Sequence, residues 1–261
     1  MTIVRQVTSR HNDLFKDLRK LLAEPTAYRK LGRVWLEGDH LCRALLERGR
    51  TPVRAIVTES GWADNALNAL ARSAPEVVCI PDALMRELSG LESPAPLGFL
   101  IDADAGVTAQ AGRNTIVLDR LQDPGNVGSI LRTASAMGFA QVVALKGSVA
   151  LWSPKVLRAG MGAHFALTLV EGAAIADIAA LGLPVVGTHL REARWLHETT
   201  LPSPLAWVFG HEGQGMSDAV SAACTLRVRI AQPGGEESLN VAAAAAMCLY
   251  ESARAALSAA Q

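Results

Sequence analysis

The spacing of apolar positions predicts strands and helices in alternation along most of the chain. Leucines and one phenylalanine recur every three or four residues between positions 12 and 24, which indicates an amphipathic helix. Helices are also expected over DHLCRALLERG, over 62–73 and from Asp82, between four apolar runs that predict strands: GRVWLEG, VRAIVT, EVVCI and LGFLI. This alternation predicts a small α/β domain over residues 1–105.

An unpatterned linker over residues 106–113 precedes a second alternating segment. Its predicted strands are TIVLD, QVVALKG, FALTLV, LPVVGTHL, PLAWVFG and TLRVRI, and its helices are expected at 127–138, near 173–181, after Met216 and over 238–259. Because these strands are almost entirely apolar, the sheet should be covered on both faces, which is typical of parallel α/β sheets. The sequence therefore predicts a C-terminal parallel-sheet α/β domain over residues 114–261.

The last predicted helix, SLNVAAAAAMCLYESARAALSAA, is apolar around most of its circumference until Glu251. A helix of this kind is buried on several sides. In a chain of 261 residues, the second covering surface could belong to another subunit, so we expect a homodimer.

Composition excludes several classes of protein. The first twenty residues are polar and basic, unlike a signal peptide, and no apolar run reaches the roughly 18 residues needed to span a bilayer. The protein is therefore expected to be cytoplasmic. Its four cysteines are widely spaced and form no C-x-x-C pair, so they predict small buried side chains and no metal site.

The formal net charge of zero conceals an asymmetry along the chain. Residues 1–54 carry twelve Lys and Arg against six Asp and Glu, whereas residues 55–261 carry thirteen against nineteen. A basic N-terminal segment favours a polyanionic partner, with RNA or DNA first among them. A solvated basic helix without a partner is an equally good explanation of the charge alone.

Three glycine-containing loops each follow a predicted strand, where open α/β sheets bind their ligands. They are LDRLQDPGNVGSILRTA (118–134), VFGHEGQGMS (208–217) and IAQPGGEESLNVA (230–242). None contains the phosphate-binding or dinucleotide-binding glycine motif. Any one of them could be ordinary turn chemistry, but together they bring several polar side chains to one predicted edge.

The motifs in these loops resemble those of the SpoU family of RNA ribose 2′-O-methyltransferases. The run N-x-G-x-x-x-R-T-A from Asn126 resembles the first motif, F-G-x-E-x-x-G from Phe209 the second, and S-L-N-V from Ser238 the third. Their order and spacing match over residues 114–261, and SPKVLRAGMGAHF (153–165) resembles the segment between the first two motifs. Residues 1–105 resemble, more weakly, the L30e-like substrate-binding domain common in this family.

The resemblance implies a trefoil knot in the C-terminal domain, S-adenosylmethionine bound in that knot, and a homodimer. It implies catalytic roles for Asn126, Arg132, Glu212, Ser238 and Asn240, and cofactor contacts from Thr188, Gly210, Ile230, Leu239 and Asn240. Contacts with RNA are expected from Lys30, Arg33 and Arg158. One departure lies in the cofactor loop, where relatives usually have I-P-M and this chain has Ile230-Ala231-Gln232.

Arg132 raises a chemical question, because the family assigns it the part of general base. A guanidinium has a pKa above about 12 and stays charged. It can still clamp the phosphate beside the target ribose and stabilise the oxyanion that develops there. We favour this second interpretation, and the two remain open at this point.

The other motif residues have simpler interpretations. Gly125 and Gly128 are expected to let the backbone of the first loop approach closely, and Asn126 to fix that loop. Glu212 is expected to orient Asn126, Arg132 or loop amides rather than bind metal. Ser238 is placed as the N-cap of the last helix, and Asn240 is expected to orient the substrate or the first loop.

The sequence therefore predicts S-adenosylmethionine-dependent methylation of a ribose 2′-OH in ribosomal RNA. The nearest alternative is the same chemistry on transfer RNA, and a remote one is a non-catalytic RNA-binding protein of the same fold. All five catalytic candidates are present, which favours an active enzyme.

Overall fold

The computed structural model of the chain describes residues 2–89, 91–104, 106–190, 193–235 and 238–259. Its contacts divide the chain into two compact units, Met1–Gly106 with Trp152–Phe165, and Val107–Leu151 with Ala166–Gln261. The segment 152–165 thus groups with the first unit, whereas the predicted boundaries assign it to the C-terminal domain. Those domain boundaries stay a prediction.

The elements follow one another in near-regular alternation of strand and helix. In chain order they are β1 (Ile3–Gln6), α1 (Asp13–Ala23), α2 (Ala27–Leu31), β2 (Arg33–Glu37), α3 (Asp39–Glu47), β3 (Arg54–Thr58), α4 (Glu59–Ala63), α5 (Asn65–Ala71), β4 (Glu76–Ile80), α6 (Asp82–Leu88), β5 (Leu97–Asp102), β6 (Thr115–Asp119), α7 (Pro124–Ala136), β7 (Gln141–Leu145), α8 (Pro154–Gly160), β8 (Thr168–Ala173), α9 (Ala176–Ala179), β9 (Val185–Thr188), β10 (Arg194–Trp195), β11 (Ala206–Gly210), α10 (Asp218–Ala223), β12 (Leu226–Arg229) and α11 (Val241–Ala259).

The first unit contains a five-stranded mixed sheet in the order β1-β4-β3-β5-β2. Strand β4 pairs parallel with both β1 and β3, and β5 pairs antiparallel with both β3 and β2. Strand β1 was not predicted, because all four of its residues are exposed at the sheet edge and carry no apolar alternation. The helix expected over 62–73 is in fact two helices, because Asp64 caps α5 through the amides of Ala66 and Leu67.

The charge asymmetry along the sequence largely disappears within this unit. Residues 1–106 contain fourteen Lys and Arg and fourteen Asp and Glu, and residues 152–165 add Lys155 and Arg158, so the formal net charge of the unit is only +2. Several ion pairs join the two stretches, among them Arg54 with Glu76 and Arg50 with Asp104, both with N–O distances below 3 Å. Net charge therefore does not by itself support an RNA-binding surface here.

The second unit contains a seven-stranded sheet, β10-β12-β9-β11-β6-β7-β8, in which every pairing is parallel. All five residues of β6, β7 and β11 are buried, which confirms the prediction of a parallel sheet covered on both faces. Strand β10 was missed because it is a two-residue edge strand, too short to show a period.

The predicted linker is attached to this unit. The carboxamide of the buried Gln141 donates to the carbonyl of Gln110 at 2.7 Å and accepts from its amide at 2.9 Å. The same Nε2 donates to Thr115 Oγ1 at 2.7 Å, so Gln141 joins the start of two strands to the preceding stretch.

Helix α11 is buried on one side only within the chain. Ala245, Cys248 and Leu249 have no exposed surface. An exposed stripe at helical spacing lies on the other side: Ala243, Met247, Tyr250, Arg254 and Leu257. One chain therefore covers only one side of this helix, and the second covering surface expected from another subunit stays a prediction. Among the helices that the structure describes, none is long and apolar enough to cross a membrane.

Candidate active site

The carboxyl ends of four neighbouring strands place the candidate cofactor residues at one sheet edge. Strands β12, β9, β11 and β6 are adjacent and parallel, with Val228 opposite Thr188 and Asp119 opposite Gly210. Thr188 and Gly210 end their strands, and Ile230 directly follows β12. Register alone thus brings the three residues to the edge where open α/β sheets bind ligands.

The first motif forms the start of a helix rather than a loop. Helix α7 begins at Pro124, and the side chain of Asp123 caps it by accepting from the Asn126 amide at 2.7 Å. Proline suits the first helical position because its missing N–H is not needed there. Gly125 and Gly128 therefore have helical backbone instead of the loop conformation that we expected.

Glu212 joins the second motif to the start of this helix. Its carboxylate accepts from Asn126 Nδ2 at 3.3 Å and from the backbone amides of Asp123 and Gln122 at 3.3 and 3.5 Å. Partial desolvation opposes ionisation, but these bonds and one from its own amide outweigh it, so the pKa of Glu212 is lowered. An ionised Glu212 thus holds the amide of Asn126 in one orientation.

Asn240 joins the third motif to the side chain of Asn126. Its Nδ2 donates to Asn126 Oδ1 at 2.9 Å, while its Oδ1 accepts from the amides of Ala242 and Ala243 at 2.9 and 3.2 Å. The cap of α11 is therefore Asn240, and the assignment of this cap to Ser238 is wrong. Ser238 is exposed and lies two residues further from the helix.

Asn126 is thus the meeting point of the three motifs. It donates to Glu212 and accepts from Asn240, and each partner needs the carboxamide in the same orientation. Because Asn240 uses its oxygen for the helix cap, only its nitrogen remains for Asn126. Asp123, which sequence reasoning missed, could have been found from the Asp-Pro pair that is typical of a helix start.

Gly210 occupies a position that admits no side chain. A Cβ there would overlap the backbone of Gly215 and Met216, where the second motif turns back past the end of β11. The turn is held by the amide of Gly215 bonded to the His211 carbonyl at 2.8 Å, and His211 Nδ1 accepts from the Gly213 amide at 3.1 Å. Glycine is therefore needed at position 210 because two backbone segments pass close to each other there.

Arg132 lies on the exposed side of α7. Within the described part of the chain, its side chain forms no hydrogen bond or ion pair. The guanidinium is therefore available to a group outside the chain, as both interpretations of its role require.

The cofactor loop keeps a defined turn in spite of its departure from the family pattern. The Gly235 amide donates to the Gln232 carbonyl at 3.2 Å, with Pro233 and Gly234 between them. The Oε1 atom of Gln232 is buried and has no partner among the described residues. Ile230 and Leu239, at the two ends of this loop, are half-buried.

The three residues expected to contact RNA belong to the first unit, and their side chains are not equally accessible to a partner. Lys30 is exposed. Arg33 is paired with Asp102, and Arg158 is half-buried beside Trp35 and Glu37 in a narrow gap under α8. Among the described residues, no group of three His, Cys, Asp or Glu side chains could hold a metal ion.

Comparison with known proteins identifies the family. A model of the SpoU rRNA Methylase family matches residues 113–250, more than half of the chain. The chain belongs to this family. This SpoU chain is 31% identical over 259 residues to an uncharacterized tRNA/rRNA methyltransferase of Synechocystis sp., covering 96% of this chain and 94% of that one.

Two further relatives carry more specific names. The 23S rRNA (guanosine-2′-O-)-methyltransferase RlmB of Nitrosomonas europaea is 33% identical to the SpoU chain, with 95% of this chain and 81% of that one covered. The structure of an rRNA methyltransferase from Sinorhizobium meliloti, bound to S-adenosylmethionine, is 25% identical and superposes with a TM-score of 0.82. That match covers 96% of this chain and 98% of the other. The predicted family and fold class are confirmed, and the roles of single site residues stay predictions.

Proposed function

We propose that this SpoU chain transfers a methyl group from S-adenosylmethionine to a ribose 2′-OH of ribosomal RNA. The observation that carries the proposal is the hydrogen-bonded set Asn240–Asn126–Glu212, formed at the sheet edge from all three family motifs. A binding module without catalysis would have no need to keep this set together with the exposed Arg132.

The sheet edge fits a nucleoside cofactor. Gly210 lets two backbone segments pass closely, and the buried Gln232 Oε1 and Ser217 Oγ have no partner among the described residues. Buried polar atoms are normally hydrogen-bonded, so these atoms and the backbone groups after β9, β11 and β12 would hold the cofactor. S-adenosylmethionine supplies an electrophilic methyl group on a cationic sulfur, and the chain needs only to hold and orient it.

The chain must therefore position the acceptor ribose. Arg132 would bind the phosphate beside the target ribose through its planar fork of donors and stabilise charge that develops on the 2′-oxygen. Its permanent charge favours this role over that of a general base. Asn126, held in one orientation by Glu212 and Asn240, would fix the start of the helix that carries Arg132.

Ribosomal RNA is the substrate class that the relatives favour. The proteins named RlmB and RlmP are 23S rRNA 2′-O-methyltransferases, and both match over 95% of this chain. Transfer RNA remains the alternative, since the Synechocystis relative is named for both. An enzyme of ribosomal RNA would work in the cytoplasm.

A homodimer built on α11 completes the proposal. Met247, Tyr250 and Leu257 are 44, 55 and 69% exposed and lie at helical spacing, so a single chain leaves an apolar stripe in water. Burying such a stripe against a second copy would be favourable by about 25 cal/mol for each Å² of apolar surface. The trefoil knot and the L30e-like character of the first unit stay expectations from the resemblance.

Mapping of ribose methylation in a strain that lacks the gene tests the proposal. Total ribosomal and transfer RNA from the deletion strain should lack one 2′-O-methylation in 23S-type RNA, restored by the wild-type gene and not by Arg132→Ala. Loss of a mark in transfer RNA only would favour the alternative. Unchanged ribose methylation would contradict both.

A further inference from the structure

An arginine outside the family motifs has an unusual conformation beside the active site. Arg120 follows directly after β6 and has a φ of 60°, in the left-handed region that favours glycine. Non-glycine residues held in that region concentrate at functional sites. The conformation is supported by Ser148, whose Oγ accepts from the Arg120 amide at 3.1 Å and donates to the Leu118 carbonyl at 3.0 Å.

The side chain of Arg120 is directed by three neighbours. Its stem lies against Gly147, where a Cβ would come within 3.3 Å of Arg120 Cγ. Its Nε lies 3.3 Å from Asp119 Oδ1, and its Nη1 donates to Gln214 Oε1 at 3.2 Å. Gln214 belongs to the second motif, two residues beyond Glu212. The guanidinium therefore lies alongside the loop whose carboxylate holds Asn126.

Neutralisation of Asp119 explains only part of this arrangement. The Asp119 side chain is 3% exposed and also accepts from the Ser217 amide at 2.6 Å, whereas Arg120 is 35% exposed. The ion pair thus has its negative end inside the protein and its positive end at the surface. Arg120 Nη2 has no partner among the described residues, so donors remain for an external anion.

The local charge favours a second cation beside an RNA substrate. Three carboxylates lie close to Asn126: Asp119 ends β6, Asp123 caps α7 and Glu212 follows β11. Arg132 alone would leave the phosphates of RNA facing an excess of negative charge. Arg120 and Arg132 together offset two of these three negative charges and offer two separate phosphate contacts.

We propose that Arg120 binds a backbone phosphate of the RNA substrate next to the one bound by Arg132, and so helps to set the register of the target ribose. The inference rests on the proposed function. It assigns to this chain a substrate contact that lies in none of the three motifs.

Salt dependence of RNA binding tests this contact. Each phosphate contact contributes about 0.7 to 0.9 to the slope of log affinity against log salt. Arg120→Gln should lower the slope by about that amount and weaken binding roughly fivefold at 0.1 M salt. Binding is measured by filter retention or fluorescence anisotropy with an unmodified transcript of 23S ribosomal RNA. Arg120→Lys should keep most of the slope.

Two further variants separate binding from folding. Asp119→Asn/Arg120→Gly removes both charges and the left-handed strain, so it should fold and bind S-adenosylmethionine like wild type yet show the low salt slope. Arg113→Gln is the matched control, since Arg113 is exposed before the opposite end of β6, and its slope should be unchanged.

The outcomes are distinguishable. If wild type neither binds nor methylates the transcript, the proposed function fails. If wild type is active and Arg120→Gln keeps the full slope, the Arg120 contact alone is overturned. The inference is also wrong if the double variant regains the wild-type slope, because Arg120 would then act only by neutralising Asp119.

Discussion

Substitutions of Asn240 can separate its two roles, which are to cap helix α11 and to link the third motif to the first. Its Oδ1 caps α11, and its Nδ2 donates to Asn126. Loss of a cap costs about 1 kcal/mol and loss of an exposed hydrogen bond about 0.5–1 kcal/mol. Asn240→Ala should therefore destabilise the protein by nearly 2 kcal/mol, which corresponds to a fall of roughly 4–8 °C in melting temperature. Methyl transfer should be lost as well.

Asn240→Asp is the informative partner of this variant. A carboxylate still accepts from the amides of Ala242 and Ala243 and suits the positive end of the helix, so stability should stay within about 0.5 kcal/mol of wild type. It cannot donate to Asn126, and a flipped Asn126 amide would turn its oxygen toward Glu212. Methyl transfer should therefore fall at least tenfold.

The assay pairs thermal unfolding with transfer of tritiated methyl groups to unmodified 23S ribosomal RNA. Affinity for S-adenosylmethionine serves as the control for an intact sheet edge. Wild-type turnover in Asn240→Asp would show that the bond to Asn126 is dispensable. An unchanged melting temperature in Asn240→Ala would show that the cap contributes nothing.

Substitutions at five other positions test separate parts of the structure. Arg132→Ala should abolish methyl transfer while changing cofactor affinity only a few-fold in calorimetry. Arg132→Lys should behave in the same way, because the point charge of lysine cannot replace the planar fork of arginine. Near-wild-type turnover of either variant would refute this. Gly210→Ala should abolish cofactor binding, since its Cβ would overlap the backbone of Gly215 and Met216. Met247→Glu should give a folded monomer in light scattering, whereas Ala245→Glu should unfold; a Met247→Glu dimer would place the interface elsewhere. The pKa of Glu212 is lowered by its hydrogen bonds, so its ionised form stabilises the fold above the ordinary value of 4.5 and this contribution is lost as the pH falls through the lower folded value. In urea titrations, Glu212→Gln should accordingly be less stable than wild type at pH 7, and the two should converge as the pH falls below 4.5.

The local sequence pattern was sufficient to predict a strand or helix that is buried on both faces or on one face at a regular period. The buried strand Thr115–Asp119 and the helix Asp13–Ala23 were predicted because their apolar spacing follows directly from the surfaces they cover. Strand Ile3–Gln6 was missed because its pairing with β4 rests on backbone hydrogen bonds and leaves every side chain exposed.

Three of the predicted site residues lie together in the structure, and the sequence predicted only part of their geometry. The motifs identified Asn126, Glu212 and Asn240, but the bond between Asn126 and Asn240 joins residues 114 positions apart, which no local pattern can reveal. The S-L-N run offers two possible caps, and the structure uses the second. The glycines near Asn126 suggested a loop, although Asp123 and Pro124 form a regular helix start. Arg120 was not predicted as a site residue, because the proposal for it rests on a backbone angle and on contacts with two loops distant in the sequence.

Nucleoside analysis of RNA methylated in vitro tests the central claim most directly. Wild-type protein, S-adenosylmethionine and unmodified 23S ribosomal RNA are incubated, and the RNA is digested to nucleosides for mass spectrometry. We expect a single 2′-O-methylnucleoside, absent with Arg132→Ala although that variant still binds the cofactor. A methyl group on a base, or no product from wild-type protein that binds S-adenosylmethionine and the RNA, would contradict ribose 2′-O-methylation of ribosomal RNA.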